Sequence, residues 1–292
     1  MVSSSRAGAI SIERLGPGHL VETFAFLDRD PVLNVYLLAL VLRDALGQPR
    51  DEYWAARRDG EMVALLHLGG HSGAMLPIGE DPEALRLLGD QARLRLAFLP
   101  RRFQLIGPRD AVSSFLQRFE RAAFTPRLDR RQEYMALERG ELSPFQPVPE
   151  LEPARAEDLP LLYESGALLR AEELEEDPRE VDALGYRRRV EEEARDGHTY
   201  LWKDERGLCF RASASAITAD AAQVSGVYTP RDRRNRGIAT RGLGELSSRL
   251  LGRSRAVCLF VNDTNAPALA VYRKLGFRTR AGWRSLFYDV LR

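Results

Sequence analysis

Five arginines lie in and just after one short loop of the sequence, where their charges could bind phosphate groups. They are Arg231, Arg233, Arg234, Arg236 and Arg241. The loop follows a β-favouring run at residues 223–229 and precedes residues 238–250, where apolar side chains recur at helical spacing. The pattern predicts a strand, a basic loop and then the start of a helix.

The start of this predicted helix suits an anion. The first backbone N–H groups of a helix have no intrahelical partners, and the peptide dipoles add partial positive charge there. Gly237 has no Cβ to obstruct a ligand, Ala239 is nearly as small, and guanidinium groups match phosphate oxygens. A diphosphate site is one interpretation of this segment, and a solvated basic turn is the other.

A second motif lies downstream. A buried-type strand at residues 256–261 leads into N-x-P-A, which begins at Asn265, and then into Y-R-K-L-G-F, which begins at Tyr272. Together with R-x-x-G-x-A, which begins at Arg234, these motifs resemble the GNAT (GCN5-related N-acetyltransferase) superfamily. The resemblance covers roughly residues 151–292.

This resemblance implies that acetyl-CoA is the donor and that its acetyl group passes directly to a primary amine. It places the pyrophosphate on the backbone after the arginine loop and the pantetheine arm beside the preceding strand. The cofactor-binding residues that it implies are Val227, Tyr228, Thr229, Arg234, Arg236, Gly237, Ile238, Ala239, Thr240 and Asn265.

The resemblance also implies that Tyr272 is the general acid. A thiol has a pKa of roughly 8.5 and a tyrosine about 10, so this hydroxyl can protonate or hydrogen-bond the departing sulfur. A core aromatic on the helix face shared with Leu269 and Leu275 is the alternative. The general base is left open among Ser225, His198 and Glu172. The acidic run at residues 172–177 is expected to be a solvated face, with attraction of a cationic amine as the alternative.

The N-terminal half repeats the same order of predicted elements without R-x-x-G-x-A. Where that loop should fall, residues 78–82 are acidic, and carboxylates would repel a diphosphate. We therefore expect an α+β protein of two GNAT-like domains, each with a mixed, mostly antiparallel central sheet flanked by helices. Residues 1–145 are expected to be the degenerate copy and residues 146–292 the acetyltransferase, with the boundary in a proline-rich segment.

Composition limits the other classes of function. The net charge of +1 and few aromatics near the arginine loop disfavour a nucleic-acid partner, and the most apolar run is too short to span a membrane. Two separated cysteines and no visible signal peptide predict a cytoplasmic protein without disulfides. His67 and His71 are expected to be ordinary surface or edge histidines, and no metal is expected.

Several partners stay open at this stage. The expected amine acceptor is a small molecule or a protein or peptide. Examples are an amino acid, a polyamine and an aminoglycoside-like molecule. A homodimer is one assembly compatible with the chain. The alternative function is a non-catalytic CoA-binding or scaffold protein that retains a vestigial GNAT fold.

Overall fold

The computed structural model describes residues 8–70, 72–120 and 125–289. The described strands are β1 (Ile10–Leu15), β2 (Asp51–Arg58), β3 (Glu61–Gly69), β4 (Ala74–Gly79), β5 (Arg102–Pro108), β6 (Leu128–Glu138), β7 (Glu152–Pro153), β8 (Thr199–Asp204), β9 (Gly207–Ile217), β10 (Ala221–Tyr228), β11 (Ala256–Asn262) and β12 (Arg278–Asp289). The described α-helices are α1 (Leu20–Leu27), α2 (Val35–Asp44), α3 (Pro82–Leu94), α4 (Arg109–Phe119), α5 (Leu159–Leu174), α6 (Pro178–Val181), α7 (Ala183–Asp196), α8 (Ile238–Leu251) and α9 (Ala266–Leu275).

The chain divides into two compact units, each with mostly antiparallel strands and packed helices. The first comprises Met1–Asp30, Leu37–Tyr134 and Ala281–Arg292, and the second comprises Pro31–Tyr36 and Met135–Arg280. The predicted α+β class with mixed sheets is confirmed. The predicted boundary at residue 145 stays a prediction.

The first unit pairs its strands in the order β1-β2-β3-β4-β5-β12, and only β4 and β5 run parallel in this series. Helices α3 and α4 bury their apolar faces in its core, where Leu88, Phe115 and Phe119 are fully buried. A Cβ at Gly89 would stand 2.4 Å from the Phe115 carbonyl oxygen, so a glycine allows these two helices to approach closely.

The second unit has the order β11-β10-β9-β8-β7, again with one parallel pair, β10 and β11. Helix α8 packs on this sheet through Leu243, Leu246 and Leu250, which explains their spacing of three and four residues. A Cβ at Gly242 would stand 2.5 Å from the Phe210 ring, so this glycine brings the start of α8 close to β9.

Both units follow one order of elements: a strand, helices, three strands, a helix, a strand, a helix and a strand. This repetition agrees with the duplication expected from the sequence. Strand β4 was not anticipated, because Pro77 lacks an N–H group and interrupts the pattern of a strand. The short helix α6 was also missed.

Two expectations about polar residues differ from the structure. His67 is buried on β3, where its Nε2 lies 3.2 Å from an Asp51 carboxylate oxygen, so the prediction of a surface or edge histidine was wrong. His71 lies outside the described residues. Cys209 and Cys258 are both buried, and each keeps its thiol rather than forming a disulfide. Within the described ranges, no helix has the length and apolar character needed to cross a membrane.

Gly276 after α9 is expected to contribute strongly to the stability of the second unit. Its φ of 102° lies in the left-handed region, and an added Cβ would stand 2.4 Å from the Glu141 carbonyl oxygen. We expect Gly276→Ala to lower the free energy of unfolding by about 2–4 kcal/mol, because strain and a backbone clash add together. Denaturant unfolding measures this change.

Gly197 after α7 provides the matched control. Its φ of 65° is also left-handed, but an added Cβ would meet nothing within 4 Å. Gly197→Ala should therefore cost only the strain, about 1 kcal/mol. Equal effects of the two substitutions would contradict the role assigned to the clash at Gly276.

Candidate functional site

Strand β10 carries a bulge close to its end. Ser225 pairs with Ser213 of β9 and Tyr228 pairs with Arg211, so three residues of β10 advance against two of β9. Gly226 within the bulge has a φ of 61°, which an L side chain rarely adopts. A bulge of this kind turns the local backbone out of the regular ladder. The bulge includes Val227 and lies directly before Tyr228 and Thr229, and these three residues are the predicted pantetheine contacts.

The parallel pair β10–β11 is short. Residues 221–223 pair with residues 256–258, and the described residues show no further pairing between these two strands. The remainder of β10, including Val227, therefore presents an unpaired backbone edge on the side of β11. An extended ligand can add to such an edge in the manner of a strand.

Gly237 marks the turn from the arginine loop into α8. It has a φ of 74° and ψ of 2°, and no side chain caps the helix that follows. The Arg241 N–H donates to the Gly237 carbonyl, so the earlier N–H groups of Ile238, Ala239 and Thr240 begin the helix without intrahelical partners. An added Cβ at Gly237 would stand in open space, so the backbone is accessible. This arrangement fits a diphosphate.

The loop arginines differ in whether their guanidinium groups already pair with other residues of the protein. Arg233 is buried, and its two Nη atoms donate to Asp204 carboxylate oxygens at 2.7 and 2.8 Å. Arg234 donates to the Thr229 carbonyl at 3.0 Å and to Glu172 at 2.7 Å. Arg236 is exposed and forms no hydrogen bond or ion pair with a described residue. Arg236 is thus the residue of this group best able to meet a ligand phosphate without losing an internal contact.

Glu172 at the end of α5 bridges two of these arginines. Its carboxylate accepts from Arg231 Nε at 2.9 Å and from Arg234 Nη2 at 2.7 Å. Burial alone would raise the pKa of Glu172, but the hydrogen bonds from Arg234 and Arg231 hold it below its usual value. The expectation that the acidic run is only a solvated face was therefore wrong at Glu172, whose carboxylate holds the arginine loop.

Asn265 is the N-cap residue of α9. Its Oδ1 accepts from the Ala268 N–H at 3.2 Å, and the residue is exposed. Its side chain oxygen is therefore used within the protein. The asparagine of N-x-P-A accordingly has a local reason to be present besides any contact with a ligand.

Tyr272 lies on α9 and is 6% exposed, in the same apolar cluster as Leu269 and Leu275. Its hydroxyl forms no hydrogen bond with a described residue. Burial, and then the charge of Glu173, raise the pKa of Tyr272 above its ordinary value of 10. The hydroxyl is therefore protonated at neutral pH and can donate a hydrogen bond. The core and functional interpretations of this residue are compatible.

A partly buried polar cluster that sequence reasoning missed lies next to the bulge, because its member Ser213 pairs with Ser225. Glu193 of α7 accepts from Arg211 Nη2 at 2.5 Å, from Thr199 Oγ1 at 2.6 Å and from Ser213 Oγ at 3.3 Å. Arg211 is 3% exposed and also donates to the Leu162 carbonyl at 3.0 Å. The one available signal was an arginine inside an otherwise small and apolar strand. Glu193 gave none, because α7 is rich in both signs of charge.

The three candidates for the general base do not converge on one point. Glu172 is occupied by Arg231 and Arg234, whereas Ser225 pairs with Ser213 across the bulge. His198 is exposed, and its carbonyl accepts from the Ala214 N–H. The geometry selects none of them.

Comparisons with known proteins agree with this fold. Residues 206–287 match the model of the FR47-like protein family. No curated protein sequence matches the chain.

Solved structures of similar fold extend over nearly the whole chain. A GNAT-family acetyltransferase from Colwellia psychrerythraea is 10% identical with a TM-score of 0.57, over 95% of this chain and 99% of its own. A tandem GNAT protein from the clavulanic acid biosynthesis pathway is 15% identical with a TM-score of 0.58, over 97% of this chain and 100% of its own. A GCN5-related N-acetyltransferase from Sphaerobacter thermophilus is 18% identical with a TM-score of 0.57, over 96% of this chain and 94% of its own.

The chain therefore has the fold of tandem GNAT proteins, with two copies of one α+β arrangement. Its C-terminal copy contains the FR47-like region, and its structural neighbours include GNAT acetyltransferases. This agrees with the resemblance drawn from R-x-x-G-x-A and N-x-P-A. The individual site residues remain predictions.

The ion pair between buried Arg233 and the more exposed Asp204 yields a pH-dependent prediction. Hydrogen bonds from Arg233 hold the pKa of Asp204 well below its usual value of 3.8. A carboxyl group whose pKa is lower in the folded than in the unfolded state stabilises the fold when the pH is above its unfolded-state pKa. This stabilisation is lost as the pH falls towards the folded-state pKa. We therefore expect Asp204→Asn to lower the Tm at pH 7, and the difference from wild type to shrink as the pH falls below about 3.8.

Asp232→Asn is the matched control. Its carboxylate lies 3.8 Å from Arg233 Nε but its side chain is 70% exposed, so its removal should change the Tm little at any pH. A difference between Asp204→Asn and wild type that stayed constant down to low pH would assign the effect to packing rather than charge.

Proposed function

We propose that this protein transfers an acetyl group from acetyl-CoA to a primary amine by direct transfer. The observation that carries the proposal is the uncapped start of α8 at Gly237, placed directly after a strand whose edge is unpaired beyond Gln223. Anion-binding backbone and a free strand edge together suit a ligand that combines a diphosphate with an extended amide-bearing arm. CoA has both parts.

The backbone has the larger role in binding. The N–H groups of Ile238, Ala239 and Thr240 would donate to the diphosphate, where the helix dipole favours negative charge. Arg236 would add a charged donor from the exposed side of the loop. The edge of β10 at residues 227–229 would form strand-like hydrogen bonds with the pantetheine arm.

Two groups of the chain would assist the reaction. N–H groups near the β10 bulge would polarise the thioester carbonyl, since they are fixed in place before the reaction begins. The Tyr272 hydroxyl would donate to the departing sulfur, and its raised pKa keeps the proton in place until it is needed. The attacking amine must first lose a proton.

A CoA-binding protein without turnover is the alternative. The observation that favours it is the lack of convergence among the proposed bases, since Glu172 already neutralises two arginines. Both functions require the Gly237 loop, but only transfer requires the Tyr272 hydroxyl. Substitutions at these two positions therefore separate the two functions.

Calorimetric titration with acetyl-CoA tests the loop. We expect Gly237→Trp to abolish binding, because an indole ring would occupy the open space over the first turn of α8. Gly197→Trp is the control, since that glycine is also left-handed with open space around it but lies after α7. Equal loss of binding in both variants would point to misfolding, and normal binding by Gly237→Trp would remove the diphosphate from this loop.

Turnover tests the tyrosine. With an acceptor found by screening amines, we expect Tyr272→Phe to lower kcat by about 10²-fold or more, with acetyl-CoA affinity nearly unchanged. Tyr200→Phe is the control, because Tyr200 packs against the same apolar cluster from β8. Unchanged kcat in Tyr272→Phe would assign that ring to packing alone.

A further inference from the structure

A row of hydroxyl groups crosses the sheet of the second unit and ends beside the β10 bulge. Ser213 of β9 pairs with Thr199 of β8 on one side and with Ser225 of β10 on the other. Its neighbour Ala212 lies in the apolar cluster with α8, and side chains alternate along a strand. Ser213 therefore faces the opposite side of the sheet, where its hydroxyl contacts Glu193 of α7.

The hydrogen bonds within this row have one direction. Thr199 Oγ1 lies 2.6 Å from Glu193 Oε1 and 2.7 Å from Ser213 Oγ. Arg211 donates to the same Glu193 oxygen, and an ionised carboxylate only accepts hydrogen bonds. Thr199 therefore gives its single hydroxyl hydrogen to Glu193. Ser213 must then donate to Thr199, because Thr199 has no second hydrogen to give.

The end of the row at Ser213 is an oxygen that can accept a hydrogen. Its own hydrogen points towards Thr199 and Glu193, whereas a hydroxyl oxygen also has two lone pairs for donors. A Cβ at Gly226 would stand 3.7 Å from Ser213 Oγ and 3.8 Å from Leu169 Cδ2. Because Gly226 has no Cβ, the position beside this hydroxyl can be occupied by a ligand atom. An ammonium group there would donate to Ser213.

The other end of the row reaches water. The side chain of Glu193 is 29% exposed, whereas that of Arg211 is 4% exposed. Arg170 of α5 and Tyr186 of α7 are two further ionisable groups that interact with the charge of Glu193. A proton that arrived at this carboxylate could therefore leave to the solvent.

Resting on the acetyl transfer proposed above, we propose that Ser213, Thr199 and Glu193 form a proton relay that deprotonates the acceptor amine beside the β10 bulge. Ser213 Oγ takes a proton from the ammonium nitrogen as its own hydrogen passes to Thr199. The hydrogen of Thr199 passes in turn to Glu193. Both hydroxyls remain hydroxyls, and the carboxylic acid formed at Glu193 then releases its proton to water.

The remaining steps of the transfer balance this proton. The nitrogen lone pair released by the relay forms the C–N bond, and the electrons of the C–S bond leave with the sulfur. The nitrogen loses one further proton as the amide forms. That proton replaces the one that Tyr272 gives to the sulfur. One proton is therefore released to water for each acetyl group transferred to an ammonium.

The same cluster also holds α5 on the sheet. Arg211 donates to the Leu162 carbonyl at 3.0 Å and to Ser165 Oγ at 3.1 Å, both on α5. These contacts do not involve the Ser213 hydroxyl. Substitution of Ser213 therefore interrupts the relay while the contacts of Arg211 remain.

The pH dependence of kcat/KM tests the relay. Lysine, spermidine, kanamycin and a lysine-containing peptide are assayed with acetyl-CoA, and the most active acceptor is used. We expect Ser213→Ala and Glu193→Gln each to lower kcat/KM at pH 7 by about 10²-fold. The deficit should shrink as the pH rises towards the pKa of the acceptor, about 10.4 for a lysine-type amine, because the amine then arrives without its proton. A structural defect would lower kcat/KM by one factor at every pH.

Ser215→Ala and Glu192→Gln are the matched controls. Ser215 is an exposed serine two residues further along β9, where it contacts Gln223. Glu192 is an exposed residue of α7 next to Glu193. Both substitutions should leave the pH profile unchanged.

Thermal unfolding and calorimetric titration with acetyl-CoA establish that each variant is folded. If Glu193→Gln does not fold, Ser213→Ala decides the test, because it leaves the ion pair between Glu193 and Arg211 in place.

Two results would overturn the relay in different ways. If the wild-type protein acetylates an amine and the relay variants keep its pH profile, or lose activity by the same factor at every pH, the relay is wrong and acetyl transfer stands. If the protein binds acetyl-CoA but acetylates none of the four acceptors, the proposed function fails and the relay fails with it.

Discussion

The second unit depends on one constraint, which is that backbone N–H groups need hydrogen-bond acceptors. A sheet and a helix normally satisfy these groups internally, and buried unpaired groups are costly. Here the pairing of β10 with β11 ends at Gln223, and α8 begins at Gly237 without a side-chain cap. Both features leave donors near the surface on consecutive elements. The apolar packing of α8 on the sheet fixes the distance between them, so the core determines the geometry of the site.

The first unit shows what happens when the same elements satisfy those groups internally. The Asp81 side chain caps α3 by accepting from the N–H groups of Glu83 and Ala84 at 3.0 and 3.1 Å. Arg58 donates in turn to the Asp81 carboxylate at 2.8 Å. A diphosphate at this helix would have to displace a carboxylate and would meet its charge. The acidic sequence at residues 78–82 predicts a poor cofactor site in this unit, and the Asp81 cap gives that prediction a physical reason.

The sequence was informative where one residue type has one physical use. Gly237 and Gly276 have the left-handed conformations that make glycine necessary, and the helical spacing of Leu243, Leu246 and Leu250 identified α8. Contacts between distant segments could not be predicted in this way. Glu172 joins Arg231 and Arg234 across about sixty residues of chain, and Glu193 meets Arg211 through folding alone. No local pattern distinguishes these carboxylates from solvated ones. Strand β4 was missed because Pro77 predicts an interruption of a strand. In the folded protein this segment nevertheless pairs with β3 and β5.

Helix α5 connects the parts of the proposed site that the motifs leave separate. Its residues 169–173 reach the bulge through Leu169, the arginine loop through Glu172 and the surroundings of Tyr272 through Glu173. A ligand that changed the position of the arginine loop would act on Glu172 and so on helix α5. Segments that contact one helix are coupled without a separate hinge, because the helix moves as a unit. The acidic end of α5 therefore links the arginine loop, where the proposed function places a phosphate, to the surroundings of Tyr272.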